Sequence, residues 1–269
     1  MSHACGRLLA SGVDVRPIYT VLSMVIESTA MEHEVNPTLD MSVHSPRLSG
    51  TLATLCVGQP QSYGVIDAVS THDKPWTTGF FKLPINRRVR LGLTNLEGDG
   101  QADLKHHGGP DKAVLAYCAE HYPLWKKDIG VDFPNGAFGE NFTISGLSEQ
   151  LVCLGDIFAI GTARVQVSQP RQPCWKLARR WRMNELVGMV IANGRSGWYL
   201  RVIEEGVVES GMAMTLLDRP EPDWPVARAH HILHHCKTDR ALTAALAAVA
   251  PLAQSWKDEL LERLHRLDS

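Results

Sequence analysis

The sequence predicts a mainly β protein, a barrel or sandwich with helical insertions, followed by a small helical appendage. Three observations carry that expectation. Between residues 50 and 217, short strand-like segments follow one another, separated by glycine-rich and proline-rich turns. The turn-rich RPEPDWP at 219–225 then marks a change of character, and three short helical segments come after it. In the last of these, Leu252, Trp256, Leu260 and Leu264 recur at four-residue spacing, which gives one apolar stripe to bury.

Taken in order, residues 1–49 show neither helical nor strand periodicity over a useful length. Arg16 followed by VLSMVIESTA falls short of a secretory signal, because the apolar run is short, is interrupted by Glu27 and starts late. Met24, Met31 and Met41 all precede the first convincing strand, so this stretch reads as a poorly ordered extension or an over-long gene model. Strands are expected at 51–57, 87–93, 113–118, 142–145, 156–160, 163–168, 197–203 and 212–217. Val89, Leu91 and Leu93 alternate with Arg88, Arg90 and Gly92, the period of two of a strand with one wet face. Helical insertions are expected at 121–127 and across 174–192, and C-terminal helices at 226–236, 240–248 and 254–267. The division that follows is 1–49, 50–220 and 221–269.

The bulk numbers exclude several classes. A chain of 269 residues allows one large domain or two modest ones, either able to bury a core. With 44% hydrophobic and 21% charged residues and no apolar run near ~18 residues, a soluble protein with no membrane partner is expected. A net charge of −2 gives no global attraction to nucleic acid, although a local basic pocket for a small phosphorylated ligand would not show in that sum. The six cysteines are scattered without a CxxC, which suits a reducing, cytoplasmic setting. There is no four-cysteine cluster, GxGxxG or Walker sequence, so any redox role needs electrons from elsewhere.

Candidate chemistry concentrates in three segments. In SQPRQPCWKL at 168–177, Pro170 ends a strand-like alternation, Pro170 and Pro173 restrict the loop, and Arg171 would favour a thiolate at Cys174 if it turns towards the sulfur. In LKHHGGPDKAVLAY, Lys105 and His107 stand beside Gly108 and Gly109, where successive backbone amides can form an anion nest. In FGENFTISGL, Gly139 allows a tight bend while Glu140 and Asn141 offer donors and acceptors at a strand entry. A fourth stretch, HHILHHC, places His230 with His234 and His231 with His235 one helical turn apart. It lacks an evident acidic partner and third ligand, though Cys236 is near, so a solvated histidine face is the expectation.

In this order the segments resemble the MOSC family, named from the C-terminal domain of molybdenum-cofactor sulfurase, and within it the bacterial YiiM-like proteins that detoxify N-hydroxylated bases. The resemblance rests on LEGDGQADLKHHGGPDKAVLAYCAEHYPLW, FGENFTISGL, LGDIFAIGTARVQVSQPRQPCWKL, GWYLRVI and LAQSWKDELLERL, and covers about residues 50–269. It implies a MOSC-type β-barrel with capping helices and a C-terminal three-helix domain. It also implies a molybdenum cofactor, a pterin dithiolene carrying a phosphate, with Cys174 as catalytic metal ligand and Lys105, His107, Gly108, Gly109 and Arg171 holding pterin and phosphate. Asn141 and Asp156 match family positions, Asn141 being counted with the cofactor contacts. The activity implied is reduction of hydroxylaminopurine-type bases to amines, with an external flavoprotein reductase as electron donor. Pyridoxal phosphate is not expected, since the sulfurase domain that binds it is not part of this chain. Two alternatives stay open: a cofactor or sulfur carrier without turnover, and a cysteine hydrolase with Cys174 as nucleophile and His107 as base.

Overall fold

The computed structural model describes residues 48–269. The expected N-terminal extension, and the choice among Met24, Met31 and Met41, lie outside the described residues. The first half runs β1 (Ser49–Val57), β2 (Gln61–Tyr63), β3 (Trp76–Thr78), β4 (Leu83–Ile85), β5 (Val89–Leu91), α1 (Leu104–His107), β6 (Val114–Cys118), α2 (His121–Ile129) and β7 (Phe142–Ser145). It continues with β8 (Ile157–Ile160), β9 (Ala163–Pro170), α3 (Trp175–Trp181), α4 (Leu186–Asn193), β10 (Trp198–Glu204), β11 (Gly206–Val208) and β12 (Ala213–Asp218), then α5 (Val226–His235), α6 (Arg240–Ala247) and α7 (Gln254–Asp268).

Seven strands close a barrel in the order β12, β8, β9, β10, β6, β7, β1, and the ring shuts where Ser49, Gly50 and Thr51 pair with Thr215, Met214 and Ala213. Closure leaves no free edge among these seven. Along β9, Ala163, Val165 and Val167 are buried while Arg164 is exposed, so the alternation seen in sequence sends the apolar set inward. Val114, Phe142, Phe158, Val165, Trp198 and Met214 fill the interior. A register shift between Leu52 and Thr54 bends β1, which also carries β4 beyond the ring.

All five residues of β6 are buried because both of its faces are covered. Val114, Ala116 and Cys118 face the barrel core, whereas Tyr117 joins a second apolar cluster with Trp125, Phe133, Phe138, Leu177, Leu186 and Val190. Tyr117 stacks on Phe138 with ring centroids 4.4 Å apart and accepts a 2.7 Å hydrogen bond from Trp125 Nε1. Helices α2, α3 and α4 therefore form a cap outside the barrel, through which the cysteine loop is held.

The C-terminal helices share the barrel's core rather than forming one of their own: Val226, Ile232, Leu246, Leu252, Trp256 and Leu260 cluster with Val152, Leu154 and Val167. Backbone bonds from Val226 N to Val152 O at 2.8 Å and from Ala253 N to Ser168 O at 2.9 Å fasten the two together.

Four expectations are corrected. The stretch 174–192 is two helices, because Arg182 takes a left-handed φ of 54° and closes α3. Residues 87–93 do not join the barrel; β5 pairs with β11 in a separate ribbon, and a turn closed by Gly92 N on Asn95 O leaves Leu93 exposed. The strand expected at 163–168 runs two residues further, to Pro170 opposite Trp198, and the ladder ends at that proline as expected. The histidine stretch is solvated only in part: His231 and His235 are exposed and His234 is half-buried, but His230 is 2% exposed, and both His230 Nε2 (3.0 Å) and His235 Nε2 (3.1 Å) donate to Ile191 O, tying α5 to α4. Among the described residues no group of three metal-ligating side chains is found there or elsewhere.

Candidate active site

The loop after β9 is fixed from three directions. Ser168 Oγ lies 2.6 Å from Asp111 O, Arg171 N donates to Gly197 O at 3.0 Å, and the Ser168 carbonyl is taken by α7. Gly197 sits at φ 75°, and a Cβ there would meet Ala116 O at 2.4 Å, so only glycine lets β10 pass close enough to serve the loop. The loop then delivers Cys174 to the N-cap of α3 with extended backbone, its free thiol half-exposed.

Arg171 is 2% exposed. Its Nη2 donates to Phe138 O at 3.1 Å, while its Nη1 is buried with no partner among the described residues. A buried guanidinium nitrogen without an acceptor is costly, and an anion or a water in the cleft would satisfy it. Arg171 lines a cleft together with Lys82, His107, Lys112, Cys174 and Lys176. Gly79, Gly100 and Gly139 also line the cleft, and close packing there requires glycine: a Cβ at Gly79 would lie 2.1 Å from Gly100 O, and one at Gly139, where φ is 78°, would lie 2.6 Å from the Phe80 ring.

Lys82 is neutralised by the buried ion pair that it makes with Asp99. Arg171 and Lys176 add positive charge to the cleft, and Lys112 stands there with Asp111 and Asp103 acting on it. Burial pulls the His107 pKa down to about 4, helped by the Lys176, Lys112 and Arg171 cations and opposed by Asp103, so the imidazole is neutral at pH 7. Burial lowers Lys112 as well, with Asp111 and Asp103 opposing. The Tyr199 phenol is pushed up to about 12, first by burial and then by Cys174, and keeps its proton across the physiological range.

Of the residues singled out in the sequence, Cys174, His107, Asn141 and Arg171 come together in this cleft. Asn141 is committed to structure: Oδ1 accepts from Leu115 N at 3.1 Å, and Nδ2 donates to Cys56 O at 3.3 Å and Asp99 Oδ2 at 2.9 Å, clipping β6 to β1 beneath the cleft floor. Glu140 accepts from Gly136 N, Phe138 N and Thr143 Oγ1, which folds the preceding loop so that Phe138 O meets Arg171. Lys105 is exposed and stands outside the lining, with its backbone N on Asp103 Oδ1. Gly108 and Gly109 are also outside it; the φ of 94° at Gly109 turns the chain from α1 into the Pro110–Lys112 turn, which lets both His107 and Lys112 reach the cleft. Asp156 lies elsewhere, accepting from Cys153 N and pairing with Arg219.

Sequence reading missed Lys112, Lys176 and Tyr199. The signals were faint: a lysine three residues after the glycine pair, and another two residues after Cys174. Cys56, Cys118 and Cys153 are buried, with thiols raised chiefly by burial, in contrast to the half-exposed Cys174.

Comparison with known proteins gives the arrangement a lineage. Residues 103–215 match the family model of the MOSC domain, and residues 224–267 match that of the YiiM-like 3-alpha helix domain. The protein YflK of Bacillus subtilis (strain 168) is 42% identical over 217 residues, covering 81% of this chain and 96% of YflK. A protein of Gibberella moniliformis (strain M3125 / FGSC 7600) named "Reductase" is 32% identical over 192 residues, covering 70% of this chain but 34% of that protein. The crystal structure of YiiM from Geobacillus stearothermophilus superposes with a TM-score of 0.67 at 35% identity, over 80% of this chain and 99% of that one. With the barrel, the three-helix segment and the cysteine loop all accounted for by these relatives, the chain belongs to the MOSC family, in its YiiM-like branch.

Proposed function

We propose that this protein binds a molybdenum cofactor in the cationic cleft and reduces N-hydroxylated compounds, hydroxylaminopurine-type bases foremost, to their amines. The observation that carries the reading is the buried Arg171 with its partnerless Nη1, in one cleft with Lys112, Lys176 and the Cys174 thiol. The donor set fits such a group. Arg171, Lys112 and Lys176 suit the phosphate, and His107 supplies a neutral polar edge. Cys174 offers a soft thiolate to a metal already held by dithiolene sulfur. When bound, the cofactor supplies the two-electron redox chemistry, while the protein supplies orientation and electrostatics. Tyr199 lines the same cleft as Cys174 and holds its proton, and the cations would keep the anionic group in place. The reaction balances as hydroxylamine plus two electrons and two protons giving amine and water, with the electrons coming from a separate flavoprotein reductase. The family and the fungal relative's name support a reductase at the coarser level.

The test is molybdenum and pterin analysis of protein made in a host able to synthesise the cofactor, followed by turnover of 6-hydroxylaminopurine with a chemical reductant. Wild type is expected to carry the metal and turn over, and Cys174→Ser to fold and lose activity. Metal without turnover would indicate a carrier. Metal-free protein with thiol-dependent hydrolysis would replace the reading with the Cys174–His107 hydrolase.

A further inference from the structure

A second chamber opens beside Cys174 and shares Cys174, His107, Lys112, Gln172 and Tyr199 with the first. It lacks Arg171 and Lys176 and has Trp175 and Pro173 in its wall instead. Trp175 is 55% exposed, whereas Trp125, Trp198 and Trp256 are buried and Trp76, Trp181 and Trp224 half-buried. Exposing an indole leaves apolar area in water, and this one is nevertheless held in place. Trp76 lies 5.5 Å away between ring centroids, and the Arg179 guanidinium is 4.7 Å from the Trp76 centroid and 5.6 Å from that of Trp175. Arg179 is itself fixed by a 3.2 Å bond to His72 O. The result is a rigid flat surface adjoining the reactive thiol, with little conformational entropy left to lose when a ring lies on it.

We infer that Trp175 is the stacking platform of a substrate chamber for flat heteroaromatic amines, which adjoins the inner cleft along Cys174, His107, Lys112, Gln172 and Tyr199. The inference rests on the proposed reductase reading for which chamber holds cofactor and which holds substrate. Trp175 is thereby a positioning and specificity residue: it sets what ring reaches Cys174 and takes no part in electron transfer.

The experiment is titration calorimetry of adenine and 6-hydroxylaminopurine against full-length protein isolated from a cofactor-competent host, with Trp175→Phe and Trp175→Leu alongside. Phenylalanine keeps a flat ring, while leucine keeps apolar bulk without one. Trp175→Leu is expected to weaken purine binding about tenfold or more, the factor that corresponds to about 1.4 kcal/mol, and Trp175→Phe to stay within about threefold of wild type. Purine binding should also quench an indole emission that Trp175→Phe lacks, a readout independent of how the leucine variant folds. The inference is overturned if wild type binds neither purine, if leucine and phenylalanine variants bind alike, or if the quench survives in Trp175→Phe. A purine held on Trp175 but never reduced leaves the chamber standing and removes the reductase reading alone.

Discussion

At the scale of single residues, Arg171 and Lys105 make a clean contrast. Both were expected to hold an anion, but Arg171 is buried with a nitrogen lacking an acceptor, while Lys105 is exposed beside Asp103. Arg171→Ala should lower molybdenum occupancy about tenfold or more, because charge-assisted bonds to a buried anion are lost. Lys105→Ala should keep occupancy within about twofold, as an exposed cation is screened by solvent. Metal per protein, measured separately from turnover per metal, checks both. Histidines give a pH prediction. His107 and His234 are each drawn down to about 4 and His230 is also lowered, in every case mainly by burial. The unfolded chain takes up protons near pH 6.5 that the folded one refuses, so this contribution to stability is complete above pH 6.5 and is lost as pH falls from there towards 4. The melting temperature should therefore drop across that window, and His234→Leu should make the drop shallower. An identical pH profile in the variant would contradict the assignment.

At the scale of elements, the cysteine loop is a strand end held by its neighbours rather than a self-stable motif. Besides the backbone bonds to β10 and α7, Ser255 Oγ donates to Gln169 Oε1 at 3.3 Å and Gln172 Nε2 to Glu259 Oε2 at 2.9 Å, so α7 braces the loop on its outer side. The loop at 136–140 contributes Gly139 to the cleft lining, next to the Phe138 carbonyl that Arg171 meets. Gly139→Ala should destabilise the protein by about 1–3 kcal/mol and reduce cofactor occupancy, since it combines a left-handed φ with a clash on Phe80. Gly130→Ala is the matched control. It has a φ of 73° with nothing within 4 Å of the added carbon, so it carries the backbone penalty alone and should leave occupancy unchanged. Chemical denaturation and metal analysis of the pair separate the two effects.

At the scale of the whole molecule, the barrel and the three-helix segment are one folding problem. Trp256, Leu252 and Val226 cover apolar residues of the barrel, and the backbone of Val152 and Ser168 is satisfied by the helices. Deleting residues 226–269 should therefore leave an insoluble or non-cooperatively melting chain, because a core face and several backbone groups lose their cover. A soluble truncated protein with a sharp melt would show that the barrel stands alone and would make the helices available as a reductase docking surface. Electron supply also belongs to this scale. NADPH alone should give no turnover with the intact protein, and a chemical reductant or an added flavoprotein reductase should restore it; unaided NADPH oxidation would refute the need for a separate donor. No helix among the described residues is long and apolar enough to cross a membrane.

What the sequence determined by itself is what short-range periodicity can encode. The seven barrel strands, the three C-terminal helices and the rigid loop around Cys174 were all legible, because alternation and four-residue spacing are fixed within a few residues of chain. The short strands β2, β3, β4 and β11 were not, at three residues each, and Leu93 misled because its alternation runs past the point where the ribbon turns. The site divides in the same way. Cys174 and Arg171 follow from one loop, but Lys112 and Lys176 come to the same cleft only through the turn at Gly109 and the start of α3, and Lys105 is carried away from it. Histidines at helical spacing read as a wet face, which holds for His231 and His235, but α4 covers His230 and gives its Nε2 the Ile191 carbonyl. Which way a polar side chain faces depends on what distant segment packs against it, and barrel register, which closes β1 on β12 across most of the described chain, is decided by the tertiary structure alone.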